Sequence, residues 1–470
     1  MSHSSPHLGG AAPSAPCSSQ VRCARQARRR RSGALLGTVA LFVVLLPTLA
    51  AALGPVVVQD TLPNGAALLV SEQHNLPMVL VRVVLDAGTR RDPQGRAGLA
   101  NLTAGLITEG TARRSAQQIK DAIDFIGGSL NADADTDYAV VGLHVLRKDL
   151  DTGLDLLADV LLHPAFKSEE LARQRDAVLA AIRADEDDPT SVAQKAFQRA
   201  LFGETPYGHP EQGTDESVRR ITRADVQDFF RRYYGPSRAA VVVVGDLSPA
   251  EARERFASVL RDWRGAPVPP FVYPPLEEPP ARRIEIDRPV TQAGIVMGNI
   301  GIARDNPDYE AVAVMDYVFG SGGFSSRLMD NIRTQAGLAY SVGSFFAARK
   351  SPGPFEIVMQ TKTASVTDAI ARAREQAERI RNEPISDDEL QEAQRYLTGS
   401  FPLRLDSNGK IADFIAQTWF YDLGTDYPER YIERVKAVTL ADVQRVAQAY
   451  IHPDRFIEVV VTNSKDTGEH

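Results

Sequence analysis

Cysteine is almost absent from this chain of 470 residues. Its two cysteines, Cys17 and Cys23, both precede an apolar stretch at 34–52, so the longer part of the chain has none. A disulfide framework, a thiolate metal site and a cysteine nucleophile are therefore excluded there. No cysteine follows the apolar stretch, which also excludes a lipid-anchoring cysteine at that point.

Positive charge does not exceed negative charge over the whole chain, but it is concentrated near its start. The formal net charge of -7 argues against nucleic acid as a partner, because neutralising phosphates requires a basic surface. A group of arginines ending at Arg31 precedes the apolar stretch 34–52, which ends in three alanines. This pattern is typical of an export signal. We expect 1–52 to be a signal peptide or an uncleaved membrane anchor, and the remainder to be periplasmic or otherwise extracytoplasmic.

Proline is concentrated between two halves of similar length. The stretch 264–280 contains seven prolines, and proline lacks the backbone donor that helices and central strands need. This composition predicts a linker. We expect 55–263 and 281–465 to be separate domains on either side of it.

The two halves repeat a sequence pattern. Thr222 begins the run TRADVQ and Thr439 begins TLADVQ, and each run is followed by a β-branched strand pattern, at 239–244 and at 456–461. Each half also opens with strand patterns and continues with helical ones. We therefore predict an α+β fold made of a duplicated domain, in which each half has an antiparallel-rich sheet with helices packed on one face.

Three segments of the first half resemble a known family. They are LDAGTRRDPQGRAGLA at 85–100, EGT at 109–111 and GGSLNA at 127–132. Together they resemble the surroundings of the active-site helix in the insulinase/pitrilysin family of zinc metallopeptidases, in its short two-domain type. The resemblance extends over 55–465, and it implies the duplicated fold of the insulinase and mitochondrial-processing-peptidase type.

The resemblance breaks at the metal site. Active members carry H-x-x-E-H, in which two histidines on one helical face bind zinc and the glutamate polarises water. The matching positions are Asn101, Ala104 and Gly105, and the last two have no donor atom. A further glutamate ligand is implied near 178–183, where no carboxylate occurs. Because zinc needs about three protein ligands, we expect no metal or other cofactor in this chain.

The second half contains the residues that the resemblance implies to be functional. Arg333 and Tyr340 match the family's arginine–tyrosine element, which implies a catalytic role as donors to the peptide carbonyl and the developing oxyanion. An arginine in an ion pair and a tyrosine packed at a strand start are the alternative from the residues alone. Substrate contact is implied for a glycine-rich loop and for the start of a first-half strand: Gly320, Gly322, Gly323, Phe324, Arg327, Asn131 and Ala132.

These features predict a non-catalytic subunit of a heterodimeric zinc-dependent peptidase. Its partner would carry H-x-x-E-H and the zinc, and the substrate would be a peptide or an unfolded polypeptide. The chain would contact a membrane only through 34–52, if that segment is uncleaved. The alternative is a structural or peptide-binding scaffold with no proteolytic role. An autonomous zinc peptidase is disfavoured, because a fold without its site does not establish the activity.

Overall fold

A computed structural model describes residues 54–464, which form two halves built from similar elements. The first half contains six strands and eight α-helices. In chain order they are β1 (Val58–Thr61), β2 (Ala67–Glu72), β3 (Met78–Leu85), α1 (Leu99–Ile107), α2 (Ala116–Phe125), β4 (Ser129–Ala134), β5 (Ala139–Leu146), α3 (Leu150–Leu162), α4 (Ser168–Asp185), α5 (Pro189–Phe202), α6 (Asp215–Arg220), α7 (Arg223–Tyr233), β6 (Ala239–Gly245) and α8 (Pro249–Val259).

The second half follows with five strands and six α-helices. They are β7 (Arg282–Asp287), β8 (Gln292–Ile300), α9 (Tyr309–Asp316), β9 (Ala339–Phe346), β10 (Pro354–Lys362), α10 (Val366–Asn382), α11 (Asp387–Ser400), α12 (Asn408–Phe420), α13 (Tyr427–Ala437), α14 (Leu440–Tyr450) and β11 (Ile457–Thr462). Short helical turns connect α9 to β9, and the glycine-rich loop lies among them.

Each half has one sheet, and the two sheets have the same strand order. The first runs β1-β2-β6-β3-β5-β4 and the second runs β7-β11-β8-β10-β9, so β2 to β6 correspond to β7 to β11. Adjacent strands are antiparallel except for two equivalent pairs, β2–β6 and β7–β11, which are parallel. The predicted duplicated α+β fold with antiparallel-rich sheets is confirmed.

The repeated threonines begin equivalent helices. Thr222 is the N-cap of α7, and its hydroxyl accepts the backbone N–H of Asp225 at 3.2 Å. Thr439 does the same for Asp442 at the start of α14, also at 3.2 Å. In each case the aspartate side chain accepts the threonine backbone N–H in return. Two donors that a helix start leaves free are thus satisfied in both halves.

Each sheet is covered on its second face by a helix from the opposite half, which the sequence pattern did not indicate. Helix α5 packs on β8, β10 and β11, with Phe197 against Val296 and Val459 in one apolar cluster. Helix α12 packs on β3 and β6, and its Ile415 shares a cluster with Val242. Strands β6 and β11 are therefore buried along their whole length. This explains their largely apolar sequences, because a strand covered on both faces has no polar side.

The segment 264–280 contains no helix or strand, and a buried ion cluster holds it in place. Asp86 accepts hydrogen bonds from Arg90 at 2.7 Å and from Arg91 at 2.6 Å. Both guanidinium groups lie over the Phe271 ring, at 4.7 and 5.1 Å from its centroid. Burial acts to raise the pKa of Asp86, but the hydrogen bond from Arg91 and the neighbouring positive charges lower it. The carboxylate therefore stays charged and keeps both arginines against this segment.

A second buried carboxylate connects the halves directly. Asp137 accepts hydrogen bonds from the hydroxyl of Tyr207 at 2.8 Å and from the hydroxyl of Tyr421 at 3.0 Å. It also accepts the backbone N–H of Lys350 at 2.7 Å. Two of these three donors belong to the second half. Desolvation and the charge of Asp137 raise the pKa of Tyr207 and of Tyr421 far above the usual range, so both hydroxyls remain donors.

The predicted signal peptide or anchor at 1–52 lies outside the described residues. Within 54–464, none of the helices is both long enough and apolar enough to cross a bilayer. The predicted domain limits at 263 and 281 fall between α8 and β7, in the segment without regular structure.

Candidate functional site

Helix α1 carries the positions that match H-x-x-E-H, and the partly buried carboxylate of Asp92 determines where it begins. Asp92 accepts the backbone N–H groups of Gly98 at 2.7 Å and Ala100 at 2.8 Å, which a helix start leaves unpaired. Burial raises the pKa of Asp92 to about 8, against the lowering effect of these N–H groups. Gly98 has a φ of 90°, and a Cβ there would lie 2.5 Å from the Gln212 carbonyl oxygen. Only glycine fits this position.

The residues on α1 do not fit a zinc ion. Asn101 and Gly105 are partly exposed and Ala104 is buried, and neither Ala104 nor Gly105 has a ligand atom. A Cβ on Gly105 would lie 2.7 Å from Nε2 of Gln174, which is on α4, the helix packed against α1. Residues 178–183 of α4 contain no carboxylate. Throughout 54–464, no group of three or more His, Cys, Asp or Glu side chains is placed to hold a metal ion.

Asn131 and Ala132 lie on β4, the outermost strand of the first sheet. Within the described part of the chain β4 pairs with β5 on one side, and its other edge has no partner strand. Asn131 is exposed and donates to Asp133 at 2.9 Å, while Ala132 is partly buried against the first-half core. Helix α1 packs against β4, so this free edge and the altered metal positions belong to one region.

The glycine-rich loop is held tightly at one end and open at the other. A Cβ on Gly320 would lie 2.6 Å from the backbone nitrogen of Ser344 on β9, and one on Gly322 would lie 2.5 Å from the Tyr317 carbonyl oxygen. Gly323 has a φ of 60° with open space around it. Beneath the loop, the Ser344 hydroxyl donates to buried Asp316. Burial raises the pKa of Asp316 to about 6, although the hydrogen bond from Ser344 lowers it.

Arg327, at the end of this loop, forms an ion pair within its own half. Its Nε and Nη2 donate to the two carboxylate oxygens of Glu389 on α11, at 2.7 and 2.9 Å. This two-point geometry is the strong arrangement for an arginine and a carboxylate. Its pairing indicates that Arg327 anchors the loop on α11. The prediction that it also contacts substrate stays a prediction.

Arg333, Tyr340 and Phe324 come together at the surface of the second half. The Arg333 guanidinium carbon is 5.2 Å from the ring centroid of Tyr340 and 4.9 Å from that of Phe324. Both rings are 73% exposed. Arg333 lies in a helical turn at Met329–Gln335, and Tyr340 lies on the edge strand β9. The chain thus presents a cation and a phenol side by side at its surface.

Sequence reasoning missed two contacts of this site. Gln174 beside Gly105 belongs to no motif, and only the packing of α4 on α1 reveals it. The contact of Phe324 with Arg333 depends on how the loop folds, so it could not be predicted from the spacing of the two residues. Arg333 and Tyr340 were predicted together, and the structure brings them together. They belong to the second half, whereas Asn101 belongs to the first.

Comparison with known proteins agrees with this arrangement. The model of Insulinase (Peptidase family M16) matches residues 68–215, and that of Peptidase M16 inactive domain matches residues 220–397. A Mycobacterium leprae protein named as an uncharacterized zinc protease is 31% identical over 357 residues, covering 75% of this chain and 80% of its own. A Helicobacter pylori protein named Non-peptidase homolog YmxG is 25% identical over 399 residues, covering 85% of this chain and 92% of its own.

A solved structure shares both the fold and its extent. The crystal structure of a peptidase M16 inactive domain from Pseudomonas fluorescens matches with a TM-score of 0.81 at 29% sequence identity. The match covers 87% of this chain and 98% of that chain. The chain therefore belongs to the insulinase family of peptidases, family M16, and is a member that lacks the family's H-x-x-E-H motif.

Proposed function

We propose that this chain is the non-catalytic subunit of a heterodimeric zinc-dependent peptidase that works outside the cytoplasm. A partner of the same family would carry H-x-x-E-H and the zinc, and this chain would supply Arg333 and Tyr340. The observation that carries the proposal is the contrast between the halves. Helix α1 has no set of metal ligands, whereas Arg333 and Tyr340 stand together at the surface.

The two donors suit peptide hydrolysis because negative charge develops on the carbonyl oxygen during attack. The Tyr340 side chain is 73% exposed, so its hydroxyl is accessible to a bound peptide. The Arg333 side chain makes no ion pair or hydrogen bond with any residue in 54–464, so its N–H donors are uncommitted. Interactions that strengthen as this charge appears accelerate the reaction rather than only binding the substrate.

The substrate would be an extended peptide or an unfolded polypeptide. Strand β4, with Asn131 and Ala132, offers an edge without a partner strand in the described part of the chain. An extended segment can add to such an edge through main-chain hydrogen bonds, which do not depend on its sequence. The export pattern at 1–52 supports a location outside the cytoplasm.

A scaffold without any proteolytic role is the second candidate. The relative from Helicobacter pylori is named a non-peptidase homolog, and its match covers 85% of this chain. Under this interpretation the family fold serves only to hold a peptide or another subunit. The Arg333–Tyr340 pair at the surface favours the first candidate, because two hydrogen-bond donors placed side by side suit a developing oxyanion and a pure scaffold has no chemical need for them.

The test is turnover of a fluorogenic peptide by this chain mixed with a family member that carries H-x-x-E-H, such as one encoded by a neighbouring gene. Neither chain alone should cleave at the rate of the mixture. Tyr340→Phe removes one donor and keeps the ring, and we expect turnover to fall by about 100- to 1000-fold. Arg333→Ala should reduce turnover at least as much.

A matched control is Arg395→Ala. Arg395 is an exposed arginine of the second half, on α11, and its replacement changes the net charge by the same amount. It should leave turnover unchanged, and gel filtration should show that all variants still assemble. If the Tyr340 and Arg333 variants assemble and cleave at the wild-type rate, the shared-site proposal fails and the scaffold becomes the better account.

A further inference from the structure

The side chain of Arg333 is held by aromatic rings rather than by a carboxylate. Its guanidinium carbon lies within 5.2 Å of the centroids of two rings, Phe324 and Tyr340. A guanidinium is attracted to the electron-rich face of an aromatic ring. Contact with two rings restricts its orientation without using its N–H donors. The rings are exposed, so this cation is positioned at a surface that a ligand can reach.

Other arginines in the same part of the structure have acceptors within the chain. Arg327 binds both oxygens of Glu389, and Arg372 donates to the Asn331 side chain at 3.2 Å. No such ion pair or hydrogen bond is made by the Arg333 side chain within residues 54–464. A guanidinium has five N–H donors in one plane, arranged to match the two oxygens of a carboxylate.

We propose that Phe324, Arg333 and Tyr340 form a carboxylate-binding site, so that the peptides this chain prefers carry a carboxylate next to the segment held at Tyr340. The biological meaning of this site rests on the proposed function, since it names the class of peptide that the heterodimer would accept. The carboxylate is either a peptide C-terminus or the side chain of a glutamate or aspartate. Both present the same pair of oxygens to the guanidinium.

Carboxylate binding is compatible with the donor role of Arg333. Two parallel N–H groups hold a carboxylate at one edge of the guanidinium, and the remaining N–H groups stay free for a carbonyl oxygen. One uncommitted cation matches a group that carries a single negative charge. The exposed Phe324 and Tyr340 rings next to the guanidinium provide apolar surface for the neighbouring atoms of the peptide.

The test uses the full chain alone and three fluorescently labelled peptides of one length. The first contains glutamate and ends in an amide, the second has glutamine in its place, and the third has glutamine and a free C-terminal carboxylate. Fluorescence anisotropy gives the three dissociation constants. We expect at least one carboxylate peptide to bind about 10- to 100-fold more tightly than the neutral peptide. Comparing the first and third peptides shows which carboxylate is recognised.

Variants assign the preference to the site. Arg333→Gln should abolish it, whereas Arg395→Gln, with the same change in charge, should leave it intact. Phe324→Ala should weaken the binding of the preferred peptide by about 2- to 5-fold, because a cation–π contact at an exposed site is weak. Phe324→Tyr keeps the aromatic ring and should restore the wild-type affinity, which a role of Phe324 in apolar packing alone does not require.

Two outcomes overturn the carboxylate site. One is equal affinity for the three peptides, or binding of none of them. The other is a preference that survives Arg333→Gln. Turnover by the reconstituted pair tests the proposed function separately. If Tyr340→Phe abolishes turnover but no carboxylate preference exists, only the carboxylate site is wrong. If the preference exists and depends on Arg333 but no partner gives turnover, the binding site stands and the subunit role is wrong.

Discussion

The two halves of this chain share a scaffold and differ in the sites that they carry. Apart from the additional strand β1, both have the same strand order, and both have the same threonine cap. Each also contributes one helix that packs on the sheet of the other half. The first half has a neutral α1 in which Ala104 and Gly105 offer no ligand atom, while the second presents Arg333 and Tyr340 to solvent. Buried scaffold residues are costly to change, whereas a metal ligand at an accessible position can be substituted without unfolding the protein.

The largest expected effect comes from disrupting the packing of α5 and α12, the two helices that each cover the sheet of the opposite half. Phe197 on α5 is 0% exposed and Phe420 on α12 is 8% exposed, each within a cluster formed with the opposite sheet. Phe197→Ala should lower the free energy of unfolding by about 3–5 kcal/mol, and Phe420→Ala by an amount near the lower end of that range.

Urea unfolding followed by circular dichroism measures both changes. Phe125→Ala is the matched control, because Phe125 is 91% exposed at the end of α2, and its change should stay within about 0.5 kcal/mol. A loss below about 1 kcal/mol for Phe197→Ala would show that α5 does not contribute to the packing of the second sheet.

The next prediction contrasts the two halves by substituting one glycine in the site of each, Gly320 and Gly105. A Cβ on Gly320 would meet the backbone nitrogen of Ser344, which cannot move aside, so Gly320→Ala should destabilise the chain by about 1–3 kcal/mol. A Cβ on Gly105 would meet only the end of the flexible Gln174 side chain. Because alanine favours a helix over glycine, Gly105→Ala should stabilise by up to about 1 kcal/mol.

Thermal unfolding of the two variants measures whether their changes in stability have opposite signs, as predicted. The same sign for both would mean that the two sites are equally constrained, and the contrast drawn between them would be wrong. Gly320→Ala should also reduce the contact of Phe324 with Arg333, which a lower affinity for carboxylate peptides would report.

A smaller and equal effect is expected at the two caps. Thr222→Ala and Thr439→Ala each remove the hydroxyl that accepts the N–H of an aspartate three residues later. Each should cost about 1 kcal/mol of stability, and Thr→Ser at either position should retain most of it. Denaturant unfolding of the four variants measures this. A cost at one threonine alone would show that the repeat preserves the sequence pattern but not its energetic role.

The smallest expected effect concerns the ion pair that anchors the glycine-rich loop. Burial acts to raise the pKa of Glu389, but hydrogen bonds from Arg327 and from the Ser386 backbone lower it to about 2, below the usual 4.5. The stabilisation is therefore fully present above about pH 4.5 and is lost as the pH falls toward 2. Because the pair is partly exposed, Glu389→Gln should cost only about 0.5 kcal/mol at neutral pH.

The pH dependence of unfolding checks this assignment. The difference between wild type and Glu389→Gln should shrink as the pH is lowered from about 5 toward 2. Glu383→Gln, which affects the exposed pair of Arg379 and Glu383, is the control and should show no measurable change. A difference for Glu389→Gln that is constant over this range would mean that the substituted side chain disturbs packing, and that the loss of an ion pair is not the cause.

Local patterns in the sequence were enough to predict several elements of the fold. The apolar runs at 239–244 and 456–461 are the buried strands β6 and β11, and the repeated threonines cap α7 and α14. These features depend on neighbours a few residues apart, such as hydrogen bonds within one turn of a helix. The pairing of Arg333 with Tyr340 was also predicted, through the resemblance of their segment to a family motif.

Contacts between distant segments could not be predicted in this way. Helices α5 and α12 each pack on the sheet of the opposite half, and no local sequence pattern indicates which sheet a helix covers. Arg327 was predicted to contact substrate, and its pairing with Glu389 on another helix emerged only from the structure. The same holds for Asp137, whose tyrosine partners lie in different halves.

The sequence by itself determined that the metal ligands are missing, because Ala104 and Gly105 have no donor atom in any conformation. It also determined the repeat, since the same short-range patterns form the same elements twice. Only the tertiary structure decided that the Phe324 ring contacts the Arg333 guanidinium and that Arg327 forms an ion pair with Glu389. The reason is physical: whether an arginine is free depends on which acceptors the folded chain brings within reach, and those acceptors come from segments far away in the sequence.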